Sequence, residues 1–444
     1  MFGLDNNQRE AIGLNFILRQ LTPVSPYGIE KLREIAPFTD PAVANRCFDN
    51  IEKLMRQNLK DLHDALAHFK NIRGILTKLA AGTLNEVELF ETKGFLLTME
   101  RFLSIFDVVN AELRLYDISF MPMTPALDIL DPQKSRIAPF SLDDGFSDKL
   151  IAIRRENLQE EEIVEEMRIM SELSIKLRPH IPKFRHNIDN LGNLDLAMAK
   201  ANLAAQHGCT RPIISQNTVT MQDMTNPMIS ASLAESGRKI TPVSLTMDTG
   251  VTIITGANMG GKSVTIKTAA LNVTLCVLGL FVFATGAKIP LFDGIFLISQ
   301  DLQDTSAGLS SFGGEVSRLN TLAAHLPQNF LFIALDEPAR TTNPAEGAAI
   351  VRAVAAWLAT SSSVSLLSTH YDSIGTPGAK YYRVAGLGNL PQSLTQADIA
   401  DYMDYRLIES DENDPIPRDA LKICKLLGLD SGLMARIEKE YING

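Results

Sequence analysis

The sequence predicts a multidomain protein: an all-α helical domain followed by an α/β domain of the phosphate-loop NTPase type. Three observations carry this. Up to about residue 210, apolar residues recur at three- and four-residue steps, the spacing of amphipathic helices. Beyond Thr210, short β-branched runs alternate with helical stretches, the texture of a largely parallel sheet layered with helices. Between the first long strand of that region and the helix after it lies Gly256-Ala257-Asn258-Met259-Gly260-Gly261-Lys262-Ser263, which matches G-x-x-x-x-G-K-[ST] at each fixed position. We expect residues 1–210 to form the helical domain and residues 211–444 the α/β domain, which closes on a helical segment.

Taken in order, helices are expected over Asn7–Leu21, Pro41–Lys70 and Leu84–Leu113, with Pro23, Pro26-Tyr27-Gly28 and Pro37 punctuating the early connections. Met121–Asp144, rich in Pro and Asp, reads as loop. Ser147 is placed to N-cap one long helix reaching Leu177. On it Ile163, Met167, Met170, Ser174 and Leu177 form a stripe at helical spacing. Glu160, Glu161, Glu162, Glu165 and Glu166 crowd the other faces and read as a solvated surface. Pro179 and Pro182 end this helix, and another runs from Asn193 to His207 with Gly208 as its C-cap. Strands are expected at Val251–Thr255, Ile295–Ser299, Phe330–Leu335, Val364–Ser368 and Tyr381–Ala385.

Composition bounds the function. The 444 residues are 45% hydrophobic and 21% charged, which excludes disordered, collagenous and disulfide-scaffold chains. Lys plus Arg is 42 against 52 Asp plus Glu, a net charge of −10, so any nucleic-acid site must be a local patch. Cys47, Cys209, Cys276 and Cys424 are too scattered for a zinc or redox motif and fit a reducing, cytoplasmic setting. The N-terminal residues show no signal-peptide pattern. The apolar run Ala269–Ala287 approaches membrane-span length. It follows the phosphate loop directly, however, and a helix packed between sheet layers is apolar all round without a membrane.

The glycines of the loop let backbone N–H groups turn inward around a β-phosphate, and the helix N-terminus adds positive potential there. Lys262 should reach the β- and γ-phosphates, and Ser263 should ligate Mg²⁺. The apolar run Phe330–Leu335 then ends in Asp336 and Glu337. Burying unpaired charge is costly, so two acids at the end of a buried strand point to chemistry. Asp336 sits where a Mg²⁺-associated carboxylate belongs, and Glu337 where a base polarises the attacking water. A further strand, in Leu366-Leu367-Ser368-Thr369-His370-Tyr371, ends in a histidine placed to meet the γ-phosphate or the water.

With their neighbours these parts resemble the MutS family of ATPases, relatives of the ABC-type ATPases. TGANMGGKS is similar to the family's TGPNMGGKS, and LLSTHY to its strand-plus-THY motif. Asp304 to Glu315 (DTSAGLSSFGGE) resembles a signature segment ending S-T-F-x-x-E. Asp336 to Ile350 resembles the D-E-x-x-x-G-T-x-P-x-E-G-A-A-L stretch of the branch without a mismatch-reading domain. Thr225–Ile229 and Thr241–Leu245 resemble the family's approach to the loop, Arg418–Tyr441 its closing helices, and NFILRQLTPVSPYG the start of its helical core and lever. The resemblance implies an ATPase using ATP and Mg²⁺, with Ser310 reaching the nucleotide of a neighbouring subunit in a homodimer or in a heterodimer with a second MutS-like chain.

The departures from the family bear on the target. Arg340-Thr341 stands in place of Gly-Thr, and Pro338 follows Glu337 directly. No Phe-x-Glu is present, and no β-patterned insert of clamp size interrupts Ser147–Leu177, where a DNA-encircling clamp would need Lys and Arg for phosphates. Two readings stay open. One is a MutS-type ATPase in DNA metabolism, with DNA binding weak and not mismatch-selective. The other is an ATP-driven factor that remodels a protein, as MutS-like proteins do that accompany and reactivate adenosylcobalamin-dependent aminomutases. No membrane partner is expected.

Overall fold

The computed structural model describes residues 3–137, 142, 146–256, 261–299, 311–371, 374–387, 403–411, 420–426 and 428–443. Its helices begin with α1 (Asn6–Ala11), α2 (Leu14–Leu18), α3 (Pro26–Arg33), α4 (Pro41–Met55), α5 (Lys60–Ala67), α6 (Arg73–Ala81) and α7 (Glu86–Leu113). They continue with α8 (Thr124–Leu130), α9 (Asp148–Glu156), α10 (Gln159–Leu177) and α11 (Ile181–His207). The strands are β1 (Ile213–Ser215), β2 (Val219–Met224), β3 (Val243–Met247), β4 (Gly250–Thr255), β5 (Gly286–Pro290), β6 (Gly294–Ile298), β7 (Leu331–Asp336), β8 (Val364–Ser368), β9 (Lys380–Leu387) and β10 (Met403–Ser410). Among them lie α12 (Pro227–Glu235), α13 (Lys262–Val277), α14 (Ser311–His325) and α15 (Pro344–Ala359), and after them α16 (Ala420–Leu426) and α17 (Ser431–Asn443).

The chain forms two compact units. One comprises Leu21–Ile35 and Arg46–Leu203 and, among its described residues, contains helices but no strand. Its core sets an aromatic cluster among buried Leu and Ile side chains. Phe95 lies 6.5 Å from Tyr27, 5.4 Å from Phe69 and 5.8 Å from Phe184, centroid to centroid, and Phe102 meets Phe69, Phe106 and Phe120. The long α7 starts on a capping box in which Asn85 accepts from the Glu88 N–H and Glu88 from the Asn85 N–H, satisfying two orphan donors.

Five local expectations are corrected here. Ser147 does cap a helix, but that helix stops at Glu156: Asn157 takes φ 59°, a left-handed turn that Asn tolerates, and α10 starts two residues later. The expected stripe on α10 holds only toward its C-terminal end. Ser174 and Leu177 are buried, whereas Ile163 and Met167 face solvent. In their place Glu165 is buried, so it is no solvated acid. It accepts from Ser147 Oγ (2.8 Å), Arg168 and Lys149, and these donors pull its carboxyl down to about 2. Within the expected loop Met121–Asp144, Thr124–Leu130 is helical. Finally, α11 begins at Ile181 rather than Asn193, because Pro182 sits in its first turn, where a missing N–H costs nothing.

The other unit comprises Met1–Gln20, Ala36–Asn45 and Ala204–Gly444. Its main sheet has the order β10-β9-β4-β8-β7-β6, parallel throughout except for the antiparallel edge strand β10. A smaller mixed sheet has the order β1-β5-β2-β3. The strands read from sequence appear within a residue or two of their expected limits. Val251, Ile253, Ile333, Leu335 and Leu367 of the main sheet pack with Leu322 of α14 and Val351, Ala355 and Leu358 of α15.

The apolar run after the phosphate loop is core. From Thr268 to Val277 every residue of α13 is buried. Asn272, in its midst, donates to Thr268 O (2.9 Å) and Thr225 O (3.3 Å) and accepts from the Phe283 N–H (2.7 Å). The helix ends at Val277, and Gly279 (φ +72°) turns the chain where a Cβ would lie 2.2 Å from the Phe38 ring. Among the described residues no helix is long and apolar enough to cross a membrane.

Candidate functional site

Strand register builds the site. Ser368 at the end of β8 pairs with Ile254 of β4 on one side and Asp336 of β7 on the other. The carboxyl ends of these three parallel strands therefore meet at one place, as they do where open α/β sheets bind ligands. From β4 the chain enters the phosphate loop at Gly256 (φ +136°), whose backbone passes so close to Val384 that a Cβ would lie 3.2 Å from it. The loop leaves through Gly261, which caps α13 in a left-handed conformation (φ +79°). Ala257, Asn258, Met259 and Gly260 lie outside the described residues, as does Ser310.

Lys262, the first residue of α13, is 3% exposed along its side chain. Its Nζ donates to Gly256 O at 2.7 Å and lies 3.1 Å from Glu337 Oε1. The ammonium thus sits among oxygen acceptors at the loop mouth, where phosphate oxygens would be further acceptors of the same kind. Ser263, next along, donates from Oγ to Asp336 Oδ1 (3.0 Å), and Ser368 Oγ donates to the same oxygen (2.8 Å). Asp336 is buried, and that burial raises its pKa, although the two hydroxyl donors oppose the shift. Its surroundings, a carboxylate and hydroxyls, are the hard oxygen donors that suit Mg²⁺. Among the described residues no three His, Cys, Asp or Glu gather as a self-sufficient metal cage.

Glu337 follows Asp336 with φ 48° and Ala339 has φ 59°. The left-handed region costs a side-chain-bearing residue about 1–2 kcal/mol, so two such residues in three mark a turn imposed by its surroundings. The Glu337 N–H donates to Ser368 Oγ (3.0 Å). Its carboxylate faces Lys262 through Oε1 and accepts from Arg340 Nη1 at 2.9 Å through Oε2. His370 Nδ1 lies 3.9 Å from that Oε2, beyond hydrogen-bond reach. Burial lowers the His370 pKa, with Lys262 and Arg340 adding to the fall and Glu337 opposing it, which favours the neutral ring.

The structure thus brings together Lys262, Ser263, Asp336, Glu337 and His370. It also shows partners that the sequence reading gave no role. Ser368, a strand residue by its sequence, links Asp336 to the Glu337 backbone. A cavity of about 590 Å³ runs from Lys262, Ser263 and Glu337 to Met403 and Tyr405 of β10 and Ile240. The Tyr405 ring lies against Gly261, 3.1 Å from where a Cβ would stand. The lining mixes charged side chains, Lys262, Glu337, Arg238 and Lys239, with apolar and aromatic ones, Ile240, Met403 and Tyr405, a mixture that suits a molecule with a phosphate chain and a flat ring.

Comparison with known proteins agrees with this geometry. The description "MutS domain V" matches residues 252–412. The chain is 32% identical over 216 residues to the endonuclease MutS2 of Leuconostoc mesenteroides, covering 48% of this chain and 26% of that protein. It is 30% identical over 278 residues to the endonuclease MutS2 of Pediococcus pentosaceus (62% and 34%) and 33% over 216 residues to that of Levilactobacillus brevis (48% and 27%). The matched part spans about a third or less of these relatives. The segment that carries the phosphate loop and the acidic strand end, residues 252–412, is thus similar to MutS domain V, and the chain resembles the MutS2 proteins over about half of its length.

Proposed function

We propose that this protein binds ATP with Mg²⁺ and hydrolyses it, coupling nucleotide state to engagement of a partner. The observation that carries the reading is that Lys262, Ser263 and Glu337 line one cavity together with Met403 and Tyr405, while Asp336 is hydrogen-bonded to Ser263. In this reading Lys262 holds the β- and γ-phosphates, and the loop from Gly256 to Gly261 wraps them with backbone N–H groups. Ser263 and Asp336 hold Mg²⁺, which, when bound, neutralises charge on the phosphates. Glu337 takes the proton of the attacking water, while Ser368 fixes its backbone. His370, at the next strand end, orients the water or the γ-phosphate. Met403 and Tyr405 receive the base. Ser310 completes the site of a neighbouring copy, so specific activity rises with protein concentration.

The test is equilibrium binding of ATP with Mg²⁺ to wild type and Lys262→Ala. Removal of the ammonium should cost several kcal/mol of phosphate recognition, of the order such electrostatic contacts supply, which reads as at least a hundredfold weaker binding. Equal affinity would remove Lys262 from the site.

For the partner, the relatives' name speaks of a nuclease, and the likeness to them keeps DNA in play. Two observations favour a protein target. Net charge is −10, and the helical unit shows no strand among its described residues, so no β-rich clamp is seen between its helices. An ATP-dependent reactivating factor for an adenosylcobalamin-dependent aminomutase is the reading this favours. Co-sedimentation with such an enzyme, in ATP and in ADP, tests it, and absence of any nucleotide-dependent association would count against it.

A further inference from the structure

The turn that carries the expected base, Glu337, is held by groups outside the phosphate loop. Ala339 is 2% exposed with φ 59°. Its N–H donates to Glu315 Oε2 at 2.9 Å, from early in α14. Its carbonyl accepts from Tyr371 Oη at 3.2 Å. The backbone of one strained alanine is thus gripped on both sides by side chains from two other parts of the chain. Two residues before it stands Glu337, and one residue after it Arg340, whose Nη1 reaches back to Glu337 Oε2. Gly347 of α15 closes the arrangement: a Cβ there would lie 2.2 Å from Tyr371 Oη and 2.9 Å from Ala339 O, so the glycine leaves room for this grip.

We infer that Glu315 and Tyr371 are positioning residues for hydrolysis: they clamp the N–H and C=O of Ala339 and so hold the left-handed turn that aims Glu337 and Arg340. Neither touches the strand-end acids by a hydrogen bond; both act through the Ala339 peptide groups. The inference rests on the hydrolytic reading of Glu337 for its consequence in turnover, but the clamp itself has a readout that does not. The physical reason is that a left-handed alanine returns to the ordinary helical or extended basin once its partners go. Moving the carboxylate of a positioned base by about 1 Å costs up to ~100-fold in rate without touching the residues that bind substrate.

Four variants and three measurements, kcat, the Kd for ATP and hydrogen exchange, test this in the full-length protein. Glu315→Ala and Tyr371→Phe should each lower kcat by about tenfold to a hundredfold, with the Kd for ATP changed by less than about twofold. Glu315→Gln keeps a carbonyl oxygen to accept the Ala339 N–H, so it should restore most of the turnover lost in Glu315→Ala. Hydrogen–deuterium exchange of the peptide covering residues 336–343 should accelerate in Glu315→Ala and stay protected in Glu315→Gln. Unchanged exchange in Glu315→Ala would overturn the clamp whatever the enzyme does. Altered exchange with wild-type kcat, beside an inactive Glu337→Gln, would overturn the positioning role alone. A wild-type rate in Glu337→Gln would instead strike the hydrolytic reading, leaving the exchange result to decide the clamp.

Discussion

Lys262 and Glu337 face each other at 3.1 Å with side chains 3% and 7% exposed, and this pair gives a stability test that needs no nucleotide. Lys262→Ala leaves a buried carboxylate behind. Breaking a buried ion pair from one side costs about 3–5 kcal/mol when the remaining charge has no other partner. Here Arg340 stays 2.9 Å from Glu337, although its own side chain is 44% exposed and its charge is partly screened by water. We therefore expect Lys262→Ala to cost about 1–3 kcal/mol, below the full penalty. Glu337→Gln should cost a similar amount, since it leaves the Lys262 ammonium buried with Gly256 O among its acceptors. The double variant buries neither charge, so the single effects should overshoot it by about 1–3 kcal/mol. The assay is urea unfolding followed by Trp357 fluorescence. Trp357 is the one tryptophan of the chain and belongs to α15, in the same compact unit as the pair. Single effects that add to within about 0.5 kcal/mol would show that the two groups do not interact and refute the reasoning.

Two further predictions concern the cation and the target. Burial raises the Asp336 pKa above its unfolded value, so the group's contribution to stability is present in acid and is lost as pH rises through the folded value. Asp336→Asn keeps an oxygen to accept from Ser263 and Ser368. Without Mg²⁺ its melting temperature relative to wild type should therefore improve from pH 4 to pH 8, while Mg²⁺-dependent stabilisation by ATP disappears; a relative loss at high pH would contradict the assignment. Duplex DNA, titrated by fluorescence anisotropy at two salt concentrations, should bind no tighter than the non-specific range of about 10⁻⁴–10⁻⁶ M at physiological salt. Matched and mismatched duplexes should behave alike, and nanomolar mismatch-selective binding would return the protein to DNA repair.

The parts of this site that could be read from sequence are those whose chemistry is contiguous. The phosphate loop and the Asp336–Glu337 strand end each announce themselves within a dozen residues, because the turn, the helix start and the buried acids are local requirements. Ser368 lay in plain view inside LLSTHY, yet its role depends on the register that sets it against Asp336, and register is a property of two strands. Tyr405 carries no local signal: it meets Gly261 from an edge strand far along the chain. On α10 periodicity alone misjudged the buried face. Ile163 and Met167 look inward by type, but Ser147, Lys149 and Arg168 supply Glu165 with enough donors for the acid to be the buried residue there. The break at Asn157 was legible in principle, since Asn is among the few residues that enter the left-handed region readily.

The central claim is that Glu337 activates water at a site that Lys262 and Ser263 build. It is tested most directly by single-turnover hydrolysis of ATP with Mg²⁺ in wild type and Glu337→Gln, with bound nucleotide measured in the same samples. The account predicts saturable ATP binding in both proteins and a rate roughly 10²–10⁴-fold lower in the variant, the range for loss of a general base. Hydrolysis at the wild-type rate by a nucleotide-loaded Glu337→Gln protein would contradict it.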